Sequence, residues 1–138
     1  MPLISYLEYS NRDMKYARDI FSLGDYDPCG RFCQQSVEKR LKYYIEQHGI
    51  PNDKRLLHLH SLTNLYQRVC ELAGCQVDKK TKDDLHKLTD DYFNTNYPSK
   101  NDIELTEEMA IEAMEIAETV NSWLDSLLAL RESEEIDI

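Results

Sequence analysis

Glycine and proline are scarce in this 138-residue chain, four of each, too few for the many tight turns of a β-rich fold. Long apolar runs are missing as well. No stretch approaches the ~18 apolar residues that a membrane span requires. The opening MPLISYLEYSNRD has no basic start and no small-residue cleavage pattern, so it does not read as a secretory signal, and the expected compartment is the cytoplasm. A Gly-rich phosphate loop, H-E-x-x-H and G-x-S-x-G are all absent, which removes the enzyme classes that leave those marks. Adjacent carboxylates such as Asp83-Asp84 and Asp90-Asp91 diverge by ~100° on a helix and do not share a metal.

Cysteine is limited to Cys29, Cys33, Cys70 and Cys75. Their spacings, C-x3-C and C-x4-C, differ from the C-x2-C pairs usual in zinc sites. Cys29 and Cys33 fall on an apolar helix stripe, where Cys acts as a small hydrophobe. Neither a metal nor a cofactor is expected. Tryptophan occurs once against nine tyrosines, a bias suited to shallow grooves and interfaces because Tyr joins an apolar ring to a hydroxyl.

What is present is a soluble composition, 41% hydrophobic and 30% charged, in a chain sized for one domain. The formal net charge of -10 argues against a general nucleic-acid coat. It is unevenly placed: residues 104–138 hold 11 acidic groups and one basic group, whereas residues 1–103 balance. The expected organisation is a single domain over 1–130 followed by an acidic tail over 131–138.

Hydrophobic periodicity predicts five helices and no strand. The first runs from about Ser5 to Leu23, opened by a Ser5/Glu8 capping box and closed at Gly24, with Leu7, Met14, Ala17 and Phe21 on one face. Asp27 as N-cap and Pro28 at the first helical position open the second. Its inner stripe is Cys29, Cys33, Ser36, Val37, Leu41, Tyr44, Ile45 and His48, with Glu38, Lys39, Lys42 and Glu46 largely off it. A polar loop from Asn52 to Arg55 leads to the third helix, with Leu62, Leu65, Tyr66, Val69 and Leu72. Asp78 caps a fourth with Thr81, Leu85, Leu88 and Tyr92. After the loop FNTNYPSKND, Thr106 caps the last, whose stripe is Met109, Ala113, Ile116, Val120, Trp123 and Leu127. The fold class is all-α, an antiparallel up-down bundle of four main helices plus a shorter one.

Four ordered segments carry a family resemblance. RDMKYARDIFSLGDY, FCQQSVEKRLKYYI, HSL at 60–62 and NYPS at 96–99 together resemble the HEPN family, small helical domains found in higher eukaryotes and prokaryotes. The resemblance spans roughly Tyr6 to Leu127. It implies an antiparallel bundle that often dimerises. Many members are RNases, often toxins, using Arg-x(4–6)-His near the start of the last helix, where His moves a proton and Arg steadies phosphate charge. Here that region has neither Arg nor His, and Asn96 stands where related short members tend to have Arg. An Arg-x4-His spacing exists at Arg55 and His60, ahead of the third helix. Other short members resemble partners of small nucleotidyltransferases.

The resemblance and the missing pair lead to a non-catalytic domain. The expected role is a homodimeric partner of a small nucleotidyltransferase in a toxin–antitoxin-like pair, with a nucleotide or RNA at Lys39, Lys42, His60, Asn96 and Tyr97. Interface candidates are Gln34, Gln35, Tyr43 and Tyr44. Bland readings stand beside these: Glu38–Lys42 and Lys42–Glu46 are ordinary i,i+4 pairs, His60 suits a bond to a nearby carboxylate, and at least one of Tyr43 and Tyr44 packs inside. The rivals are a metal-independent RNase using Arg55 and His60, and a pure oligomerisation module.

Overall fold

The computed structural model describes residues 4–89 and 105–136, with side chains as far as residue 130. The helices are α1 (Tyr6–Ser22), α2 (Tyr26–His48), α3 (Leu62–Ala73), α4 (Lys79–Thr89) and α5 (Glu107–Ile136), with a 3-10 segment over Pro51–His58. No strand occurs among the described residues. The fold is an all-α bundle of antiparallel helices, and none of the described helices is long and apolar enough to cross a membrane.

Local signals set most boundaries. Ser5, Ser61, Asp78 and Thr106 each accept from a backbone N–H three residues on, at 3.0 to 3.3 Å, satisfying donors that a helix start otherwise leaves open. Gly24 and Gly74 take the left-handed φ, +79° and +72°, that lets the chain leave a helix. The start of α2 departs from the expectation. Asp25 holds the N-cap position without a side-chain bond, and Pro28 sits within the first turn, where its missing N–H still costs nothing. Asp27 instead accepts the backbone N–H of Leu105 at 2.6 Å, tying α2 to the approach of α5.

α2 is the central element and packs against α1, α3, α5 and the 3-10 segment. Its Val37, Leu41, Tyr44 and Ile45 join Leu62, Leu65 and Val69 of α3, Leu85 and Leu88 of α4, and Leu124 of α5 in one core. Each fully buried side chain of this size stabilises by about 1.5–3 kcal/mol. Ala17 on α1 and Ala110, Ala113 and Ala117 on α5 are also fully buried, and their small side chains let helices approach closely. Leu7, by contrast, is only half-buried. Tyr92 lies outside the described residues. The helix α5 continues to Ile136, through most of the segment expected as an acidic tail.

Two further departures concern α2 and the segment that follows it. Lys42 is buried, and Glu38 nearly so, although the apolar stripe alone places both off the core. The stretch Asn52–Arg55, expected as loop, winds as a 3-10 turn because Asp53 accepts the Ile50 N–H at 2.9 Å. At the far end Tyr66 packs edge-on against Trp123, ring centroids 5.4 Å apart, and its hydroxyl accepts the Asp78 N–H at 2.9 Å. Tyr66→Phe is expected to lose about 1 kcal/mol by urea unfolding, the usual net worth of one such bond.

Candidate functional site

α2 presents two polar edges, and the residues expected to bind a ligand divide between them. On the α1 side, Lys39 donates to Asp13 at 2.7 Å, and its ammonium stands 5.3 Å from the centre of the Tyr9 ring. Arg12 covers the same ring at 4.6 Å. On the α3 side, Lys42 donates to Glu38 Oε2 at 3.1 Å, and His60 Nδ1 meets that same oxygen at 3.1 Å. Glu38 thus bridges a buried lysine and an exposed histidine. The structure brings Lys42 and His60 together and turns Lys39 away from them.

Arg55 is exposed on the 3-10 segment. It lines a cavity of about 450 Å³ with Asn64, Gln67 and Arg68, while His60 turns to Glu38. In that cavity Arg68 forms a two-pronged pair with Asp53, at 2.9 and 3.0 Å. The Arg68 guanidinium holds the Asp53 carboxyl below its ordinary value, the Ile50 N–H adds to this, and burial opposes it. A carboxyl whose folded pKa is depressed contributes stability above its unfolded pKa, about 3.9, and loses it as pH falls through the folded value. Arg68→Met should therefore narrow its deficit against the wild type as urea midpoints are taken from pH 7 down to pH 2. An unchanged deficit across that range would remove the pair from the acid response.

A third polar cluster joins α1, α2 and α5. Arg40 forks onto Asp125 at 2.9 and 3.0 Å, and its other nitrogen donates to Ser10 at 3.0 Å and Asn11 at 2.8 Å. Ser10 and Ser36 each donate to the other's carbonyl, and Asn121 donates to Ser36 at 3.0 Å. The buried Asn121 Oδ1 has no protein partner. Apolar periodicity misses this cluster. Arg40 does fall four residues after Ser36 and four before Tyr44, so the stripe passes through it.

Of the interface candidates, Gln35 is exposed and Gln34 and Tyr43 are half-buried. Tyr44 is 1% exposed and stacks at a tilt on His48, so it belongs to the core and offers no surface. Asn96 and Tyr97 lie outside the described residues. All four cysteines are free thiols, three of them buried. The Cys29 hydrogen bond, followed by burial, holds the Cys33 thiol far above its ordinary pKa. Among the described residues, no three His, Cys, Asp or Glu side chains converge on a point that could hold a metal.

The family model of the HEPN domain matches residues 5–127. Among solved structures, the crystal structure of an archaeal HEPN homologue superposes with a TM-score of 0.67 at 20% identity. The match covers 88% of this chain and 93% of that one, a likeness of fold. No curated protein matches.

Proposed function

The chain belongs to the HEPN domain family, and from that premise we propose that it acts as a non-catalytic binding subunit: a homodimer that partners a small nucleotidyltransferase in a toxin–antitoxin-like pair. The observation that carries this reading is the state of three cations of α2 and of His60. Lys39 is neutralised by Asp13, Lys42 by Glu38 and Arg40 by Asp125, while His60 faces Glu38. An RNA phosphate would have to displace a carboxylate at each of these groups. Arg55 and His60, the pair with the right spacing for RNase chemistry, engage different surroundings. Gln35 is exposed on α2, and the half-buried Gln34 and Tyr43 flank it on opposite sides of the helix, a mix of amide and aromatic groups that suits a protein surface. A nucleotide at Asn96 and Tyr97 remains part of the same proposal.

The test is affinity purification of the tagged chain from its native cells, with recovered proteins identified by mass spectrometry. Stoichiometric recovery of a nucleotidyltransferase supports the reading. In parallel, purified protein in chelator should leave RNA uncut, and His60→Ala should change stability by less than about 1 kcal/mol, as for other exposed pairs. Cleavage in chelator that His60→Ala abolishes would replace this proposal with the RNase.

A further inference from the structure

The C-terminus of α3 places two cysteines where a helix-ending turn makes its closing contact. Gly74, with φ +72°, donates its N–H to Glu71 at 3.3 Å, and Cys75 donates its N–H to Cys70 at 3.0 Å. This nested pair of bonds is the Schellman turn. It folds the second residue past the helix back over the residue five positions earlier, where an apolar contact usually seals it. In this chain both positions of that contact are cysteine. Cys70 is 1% exposed and Cys75 is open to solvent at the mouth of a cavity of about 290 Å³ that also holds Tyr66 and Trp123.

We propose that Cys70 and Cys75 form a disulfide-forming modification site, oxidised by a low-molecular-weight disulfide such as glutathione disulfide. The turn supplies the close approach of the two Cα atoms that a disulfide demands. The two positions divide the labour of exchange. Cys75, the exposed thiol, loses its proton to solvent and attacks one sulfur of the oxidant, releasing one glutathione thiol and leaving a mixed disulfide at Cys75. Cys70 then attacks the Cys75 sulfur from inside the turn. Its proton passes to the departing glutathione, so one glutathione disulfide is reduced to two thiols while the protein loses two hydrogens. The Cys75 thiol already lies close enough for its charge and hydrogen bonding to bear on Cys70, whose pKa burial pushes up to about 11. The inner thiol is therefore protonated near neutral pH and shielded from the oxidant, which places the first attack on Cys75. Cys29 and Cys33 also lie near each other, but both are fully buried and no oxidant reaches them without unfolding.

The folded chain is incubated with glutathione disulfide, alkylated, and digested with trypsin. Cleavage after Arg68 and Lys79 puts both cysteines in one peptide, Val69–Lys79, so the product is read directly from its mass. The expected result is a peptide lighter by two hydrogens and closed to alkylation, with Cys29 and Cys33 still alkylatable after unfolding. In Cys70→Ala the mixed disulfide at Cys75 should accumulate, and in Cys75→Ser neither product should form. A wild-type peptide that keeps two alkylatable thiols, or one that stops at the Cys75 glutathione adduct, overturns the proposal. The wild-type measurement is decisive even if Cys70→Ala folds poorly.

Discussion

Asp125→Ala is expected to cost about 3 kcal/mol, more than removing the buried arginine it pairs with. The Arg40 side chain is 9% exposed and that of Asp125 is 53% exposed. Taking away the carboxylate strands a guanidinium inside the bundle, and an arginine cannot escape by losing its proton. Breaking a buried pair in that direction typically costs 3–5 kcal/mol. The opposite change behaves differently. Arg40→Met keeps much of the stem volume, and the orphaned carboxylate of Asp125 is already half in water, so a loss of about 1–2 kcal/mol is expected. Adding Arg40→Met to Asp125→Ala should then recover stability, since the double variant no longer buries an unpaired charge. Urea unfolding of the three variants checks this ordering. Equal losses in both single variants, with no recovery in the double, would show that Arg40 is held chiefly by Ser10 and Asn11.

The same cluster marks where sequence reasoning stops. Helix starts at Ser5, Asp78 and Thr106 were legible because a cap acts within three residues. The stripe on α2 was legible because period alone decides which side is buried. Arg40 was not, because the periodic reading counts apolar residues and gives no weight to a charge whose partner, Asp125, lies 85 positions away. Asp27 shows the same limit: its local chemistry fits an N-cap, yet a long-range N–H at Leu105 claims it. For the candidate site, the Glu38–Lys42 pair could be read from i,i+4 spacing. The arrival of His60 on the same oxygen depends on how the 3-10 segment steers the chain into α3.

That segment turns on Gly49, and Gly49→Ala should show it with a loss of about 3 kcal/mol. The φ of Gly49 is ordinary, −83°, so the argument concerns space. A Cβ there would lie 2.5 Å from the Ile45 carbonyl oxygen and 2.7 Å from Asp53 Oδ2. The first is backbone, and it accepts the Gly49 N–H that closes α2. The second accepts from Ile50 and from Arg68, so moving it loosens the 3-10 turn and the fork to α3 together. Overpacking alone costs about 1–3 kcal/mol, and the disturbed fork adds to it. In an Asp53→Ala background the fork and the Oδ2 clash are gone, leaving the backbone clash and a tight 3.2 Å approach to the Cβ of residue 53, so Gly49→Ala should there cost roughly half as much. A full cost in that background would assign the whole effect to the end of α2. A reduced one would mean that a single hydrogen atom in place of a methyl group lets Asp53 join α2, the 3-10 turn and α3, and so steers the chain that carries His60 to Glu38.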